Sequence, residues 1–186
     1  YAIGSSDGNE TINDGRDTIF GGDLDIVVFG AGLTSGNLVM TRSGAANQLY
    51  DLQMSFGAQT ITIEGQFYYD NLGFRPSRIE DFVFGDGEIW TAEKLREEYI
   101  LRTATNGNDI ITGFFSHDVI VGGAGNDTLR GGDGNDTYQF ALGDGQDRIE
   151  ESLYHIFYSD EDAIEFSSGI LPGDVILSRA GTYDLV

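Results

Sequence analysis

The sequence predicts an all-β chain with one short helix, and three observations carry that prediction. A nine-residue period runs through residues 104–150, with aspartate at its sixth place and a large residue at its eighth. Tyr50, Leu52, Met54 and Phe56 alternate with polar neighbours, as do Ile61 and Ile63, which is the period of a half-buried strand. Only Ala92 to about Ile100 reads as a helix, with Thr91 placed to cap it.

The first element to justify is the beginning of the chain, because it is repeated at the end. Aligned at a constant offset of 137, residues 1–49 and 138–186 share 13 identities in 49 ungapped positions. Tyr1 meets Tyr138, Asp7 meets Asp144, Gly8 meets Gly145, Asp25 meets Asp162, Phe29 meets Phe166 and Gly36 meets Gly173. Conservative pairs such as Leu33 with Ile170 fill much of the rest. The expectation is a stretch of a longer tandem array, since repeat architectures bury their faces against neighbours. Its divisions are 1–24, the edge of a preceding block; 25–103, a β-rich module; 104–150, the nonapeptides; and 151–186, the start of a second module.

In the module, Phe82-Val83-Phe84 and Ile89-Trp90 flank Gly85-Asp86-Gly87-Glu88. Asp-Gly suits a tight turn, so this reads as a hairpin. The nonapeptides follow, as ATNGNDIIT, GFFSHDVIV, GGAGNDTLR and GGDGNDTYQ, then Phe140-Ala141, then LGDGQDRIE. The sixth places are Asp109, Asp118, Asp127, Asp136 and Asp147; the eighth are Ile111, Ile120, Leu129, Tyr138 and Ile149.

Composition narrows the function classes. The net charge is −21, from 31 acidic and 10 basic residues, which disfavours nucleic acid and anionic membrane surfaces as partners. Hydrophobic residues make up 40% of the chain and aromatic residues 12%, too many for a disordered acidic segment. The carboxylates therefore face open solvent or cations. There is no cysteine, hence no disulfide and no thiolate metal site. No apolar run is long enough to span a bilayer, and no signal peptide opens the sequence.

The nonapeptides resemble the G-G-x-G-x-D-x-U-x repeat of RTX proteins, a calcium-binding β-helix repeat. Phe29-Gly30-Ala31-Gly32-Leu33, Arg42-Ser43-Gly44, Arg78-Ile79-Glu80-Asp81-Phe82 and Asp86-Gly87-Glu88-Ile89-Trp90-Thr91 resemble the haemolysin-type calcium-binding related domain. The resemblance implies a right-handed parallel β-roll with two nonapeptides per turn, the last three residues of each nine forming a strand. Glycines let the turns bend and approach an ion, and calcium takes six to eight hard oxygen ligands. Carried onto this chain, Asp109 pairs with Asp127, Asp118 with Asp136, and Asp127 with Asp147 across the two-residue insertion. By the same resemblance the carbonyls of Gly123, Gly125, Gly132 and Gly134 supply much of the remaining shell. Roughly three ions result, bringing the charge from −21 to about −15. Asn-Asp and Gly-Asp clusters also favour turns without metal, but five in register point to the ion. Ser116, Phe114 and Phe115 make the 118/136 site the weaker one. At the start of the chain, Glu10 is long for its turn.

By the same resemblance the segment is secreted, exported by type I machinery and folded on calcium outside a bacterial cell. It is itself no enzyme. Its partners are calcium, neighbouring repeats and, in an alternative reading, a glycan or another copy in an adhesin or surface layer. A third reading is the secretion tail of a hydrolase or toxin. Phe67-Tyr68-Tyr69, Phe74 and Trp90 read as module core ahead of a sugar-stacking face. Arg42 and Arg179 read as structural. His117 and His155 lie in dissimilar contexts and read as no part of a catalytic arrangement, and no phosphate loop or zinc spacing is present.

Overall fold

Alternation of apolar residues and the nine-residue period both reappear as strand spacing in the computed structural model, which describes residues 1–14, 24–44, 50–68, 78–151, 161–176 and 178. The chain divides into two compact units, Tyr1–Tyr99 and Ile100–Val186.

The first unit runs β1 (Ala2–Ile3), β2 (Glu10–Ile12), β3 (Ile26–Phe29), β4 (Val39–Ser43), β5 (Asp51–Phe56), β6 (Gln59–Ile63), β7 (Asp81–Val83) and β8 (Ile89–Thr91). Helix α1 (Ala92–Thr103) follows. One sheet has the order β2-β6-β5-β4 and the other β1-β3-β7-β8. Both are mixed. Strand β2 lies parallel to β6, which is antiparallel to β5; β1, β3 and β7 are parallel, and β8 returns antiparallel. The two short strands at the start of the chain thus join the sheets of the module.

Leu52, Met54 and Phe56 on β5 are buried, with Ile61 and Ile63 beside them on β6, as alternation requires. Phe29 stacks on Phe84 with ring centroids 5.1 Å apart and tilts against Phe56 at 5.3 Å. Phe84 meets Trp90 edge-on at 4.8 Å. Such geometry adds about 0.5–1.5 kcal/mol per pair beyond area burial. The hairpin turn forms where Asp86-Gly87 places it. Asp86 Oδ2 accepts from Ser35 N–H (3.1 Å) and Ser35 Oγ–H (3.0 Å), tying the turn to the loop after β3.

Helix α1 begins as expected, with Thr91 Oγ1 accepting from Lys94 N–H at 3.1 Å, but extends to Thr103. Lys94 pairs with Glu98 at 3.0 Å, a spacing that supports helix propagation. Trp90 and Phe67 are buried, as a module core demands, whereas Tyr68 is 41% exposed and stands edge-on to Tyr50 at 5.2 Å. Tyr69, Phe74, Arg179 and His155 lie outside the described residues. Arg42 sits over the rings of Phe67 and Tyr99, 5.5 and 5.2 Å from their centroids, a cation–π arrangement.

In the second unit the strands are β9 (Ile110–Thr112), β10 (Val119–Val121), β11 (Thr128–Arg130), β12 (Thr137–Phe140), β13 (Arg148–Ile149) and β14 (Ala163–Phe166). Each of the first five closes one nonapeptide. Odd strands form one three-stranded sheet, β13-β11-β9, and even strands another, β10-β12-β14; every pairing is parallel. Ile111 therefore pairs with Leu129 and Leu129 with Ile149, while Ile120 pairs with Tyr138 and Tyr138 with Ile164. Ile111, Ile120, Leu129 and Tyr138 are at most 1% exposed. The eighth place is the core of this unit. Strand-rich and with one α-helix among the described residues, the chain is all-β as expected.

The duplication is structural as well. Ala2 and Ile3 face Val28 and Phe29 in register, and their counterparts Gln139 and Phe140 face Glu165 and Phe166. Gly4 N–H donates to Asp7 Oδ2 at 2.6 Å, and Ala141 N–H to Asp144 Oδ2 at 2.6 Å. Tyr1 donates its hydroxyl to Asp14, and Tyr138 to Glu151. Burial and this bond together push the Tyr138 hydroxyl pKa up; at Tyr1 the Asp14 hydrogen bond comes first and raises it to about 12.

Candidate metal centre

The nonapeptide turns stack, 122–127 on 104–109 and 131–136 on 113–118 at a spacing of 18 residues and 142–147 on 122–127 at 20, and glycine is what lets them do so. A Cβ on Gly123 would press on the Thr105 carbonyl oxygen, one on Gly132 on that of Phe114, and one on Gly134 on that of Ser116. All three glycines also have positive φ, at 83°, 101° and 121°, which L side chains adopt at a cost. Gly125 has φ 146° and stands against the Gly107 carbonyl. Its own carbonyl accepts from Gln146 N–H at 3.3 Å, and its N–H donates to the Asp144 carbonyl at 2.6 Å.

The sixth-place aspartates form two ladders. On one side Asp109 N–H donates to Asp127 Oδ1 (2.8 Å), and Asp127 N–H to Asp147 Oδ1 (2.9 Å). On the other, Asp118 N–H donates to Asp136 Oδ1 (2.9 Å), and Asp136 N–H to Asp162 Oδ1 (2.9 Å). The three expected pairs are thus brought together, the 20-residue spacing of 127 and 147 included. Asp162 is the rung the nine-residue period misses, because 26 residues separate it from Asp136. The fifth place carries a second ladder that composition alone did not reveal. Asn108 Oδ1 accepts from Asn126 N–H, Asn126 Oδ1 from Gln146 N–H, and Asn135 Oδ1 from Glu161 N–H, at 2.9–3.0 Å.

What the other carboxylate oxygens do separates the rungs. Asp109 Oδ2 accepts from Thr105 N–H (2.7 Å) and Thr105 Oγ–H (2.8 Å). Asp118 Oδ2 accepts from Phe114 N–H at 2.5 Å, and Ser116 Oγ–H reaches Oδ1 at 3.4 Å. Asp127 and Asp136 are 2% and 1% exposed, yet Oδ2 of each is buried with no hydrogen-bond partner. A buried carboxylate oxygen without a donor is costly. Burial first, and then the nearby carboxylates of Asp118, Asp162 and Glu151, push the Asp136 pKa up to about 7 against the pull of its backbone hydrogen bond. Burial likewise raises Asp147, with Asp127 and Asp144 adding to it. An inward-aimed, unsatisfied anion is what a hard divalent cation neutralises.

The family model of the RTX calcium-binding nonapeptide repeat, in four copies, matches residues 103–138 and 112–149. That of the haemolysin-type calcium-binding protein related domain matches residues 52–94. The chain carries RTX calcium-binding nonapeptide repeats and a haemolysin-type calcium-binding related domain. No curated protein matches it. The RTX repeats bind calcium, and the residues present fit the ion: two orphaned carboxylate oxygens lie in stacked turns whose glycines bring backbone carbonyls close. Among the described residues no three acidic or histidine side chains converge as a metal cluster, so carbonyl oxygens have to supply much of an RTX shell. When bound, calcium supplies positive charge that offsets carboxylate repulsion. The chain's own part is to aim Asp127 and Asp136 inward and hold them there by Oδ1. Among the described residues no helix is long and apolar enough to cross a membrane.

Proposed function

We propose that the chain is a calcium-folded structural segment of a large secreted bacterial RTX protein, a scaffold and not a catalyst. In this reading residues 104–150 form a right-handed parallel β-roll, with Asp109, Asp118, Asp127, Asp136 and Asp147 as carboxylate ligands and the turn glycines as carbonyl ligands. Residues 1–24 are the edge of a preceding block, 25–103 a spacer module and 151–186 the start of the next. Export by type I machinery, unfolded in low calcium, belongs to the same reading.

The observation that carries it is the pair of orphaned, buried Oδ2 atoms of Asp127 and Asp136 within two parallel ladders of 18-residue register. Without a cation, stacked carboxylates repel. A ligand that binds only the folded state stabilises it by mass action, and extracellular calcium modules bind at about 10⁻⁴–10⁻³ M, a range present outside a cell. The test is hydrogen–deuterium exchange on the whole chain with calcium and with EDTA. Peptides from 104–150 are expected to lose protection in EDTA and the β-signal in circular dichroism to fall. Unchanged protection in EDTA would remove the coupling of calcium to folding.

A further inference from the structure

Strand β14 is the counterpart of β3, but among the described residues no strand stands beside it as β7 stands beside β3. The turns after the two strands match: Leu33 N–H donates to the Gly30 carbonyl at 3.1 Å, and Ile170 N–H to that of Ser167 at 3.2 Å. A 3₁₀ turn follows at Ser35–Asn37 and at Pro172–Asp174, closed by Thr34 N–H to Asn37 Oδ1 (3.0 Å) and Leu171 N–H to Asp174 Oδ2 (2.9 Å).

In the first unit β3 is flanked on both edges, by β1 and by β7, with Val27 opposite Phe82 and Val28 opposite Val83. Val27, Phe29, Leu33 and Leu38 are then all buried. In the second unit β14 is the last strand of its sheet among the described residues. Ile164, counterpart of Val27, is 51% exposed, and Phe166, counterpart of Phe29, is 47% exposed. A cavity of about 290 Å³ opens beside Phe166, with Val121, Phe140 and Ala141 as its apolar wall and Gln139, Asp144, Glu165 and Ser167 at its polar side. In the first unit the ring equivalent to Phe166 is the one on which Phe84 and Phe56 pack.

We infer, on the reading of residues 151–186 as the start of a second module, that the edge of β14 left without a described partner strand is an acceptor for a hairpin of the β7–β8 kind, supplied by the remainder of that module. The incoming strand lies parallel, sets an aromatic residue opposite Ile164 as Phe82 stands opposite Val27, and delivers a second ring, in the role of Phe84, to the cavity beside Phe166. Backbone pairing supplies affinity and the alternating side chains supply choice, as in strand addition generally. The Ile170 carbonyl stands where the Leu33 carbonyl receives Gly85 N–H at 2.9 Å. One contact does not carry over. Pro172 replaces Ser35, so the turn aspartate finds neither the N–H nor the hydroxyl that hold Asp86. The aromatic residues, not the acid, select the strand.

Two experiments test this. Residues 50–103 appended after Val186 complete a second module in the native phase of the repeat; amide exchange across Ala163–Phe166 is then expected to slow, and Ile164→Lys to abolish that protection. In trans, a fluorescein-labelled peptide of residues 78–92 is expected to raise its anisotropy on the calcium-loaded chain. Ile164→Lys weakens that binding by about tenfold or more, a peptide with Phe82→Ser and Phe84→Ser fails to bind, and one with Asp86→Ala binds as well as the parent. Unchanged exchange at 163–166 once the appended module has folded would overturn the proposal. So would sedimentation showing the chain alone pairing with itself through β14, lost in Ile164→Lys. Because this edge lies outside the nonapeptide turns, its failure leaves the calcium reading intact.

Discussion

Replacing Asp136 with asparagine separates the cost of a buried charge from the binding of an ion. Asp136 Oδ1 holds the ladder by accepting from Asp118 N–H at 2.9 Å, and the amide oxygen of asparagine can keep that bond. What changes is Oδ2, buried without a donor. With a folded pKa of about 7 and an ordinary value near 3.9, ionisation at about pH 8 costs the calcium-free fold about 4 kcal/mol. The asparagine NH₂, unpartnered in the same place, returns about 1–3 kcal/mol of that cost. In EDTA at about pH 8 the variant is therefore expected to be more stable than the parent by about 1–3 kcal/mol. The sign with pH follows from linkage. A carboxyl whose folded pKa is raised binds more protons folded than unfolded, so the parent loses stability as pH climbs from about 4 through about 7; Asp136→Asn lacks that fall. With calcium saturating, the order reverses, because the variant has lost a carboxylate ligand. Amide exchange of peptides 104–150 reads the calcium-free arm, as residual protection in EDTA greater in the variant than in the parent, and urea denaturation followed by circular dichroism reads the calcium-loaded one. A variant that is weaker than the parent in EDTA, with an unchanged calcium titration, refutes the reasoning.

Two further outcomes are expected. Asp127→Ala should cost more calcium affinity in calorimetric titration than Asp118→Ala, because Asp127 stands between Asp109 and Asp147 and has its Oδ2 unpartnered, whereas Asp118 Oδ2 already accepts from Phe114 N–H; equal losses reject that scheme. Tyr138→Phe removes the acceptor of Gly131 N–H, a bond of 2.6 Å in a buried place, and should destabilise the calcium-loaded chain by about 1–3 kcal/mol in urea titration.

Much of the second unit is legible because its signal repeats. An aspartate every nine residues, with a large side chain two places later, states where each strand ends and what it buries. The insertion Phe140-Ala141 is absorbed as one extra residue on β12 and a longer turn, and Asp147 still reaches Asp127. Asp162 was not legible, since the period breaks after Glu150 and nothing in the sequence counts across the gap. The asparagine ladder was hidden for another reason. Asn108, Asn126 and Asn135 look like turn formers, a role that needs no partner, and only the stacking of turns shows their side chains reaching to the next one. In the first unit, alternation in β5 and β6 and the Asp86-Gly87 turn carried the local structure. Pairing of Glu10–Ile12 with Ile61–Ile63 was beyond reach, because two- and three-residue strands carry too little pattern to announce a partner fifty residues away.

Strand β12 has a consequence for how such a chain changes over time. Tyr138 is the eighth residue of a nonapeptide and also the counterpart of Tyr1, and its strand pairs with β10 on one side and β14 on the other. Sequence blocks meet at about residue 150, but the hydrogen bonds interlock across that seam through Asp136 and Asp162. A crossover at the apparent boundary would therefore leave one strand edge bare and one aspartate without its rung. Gain or loss of whole 137-residue periods would keep every such bond, so an array built on this period is expected to vary in length by the full period and not by its visible parts.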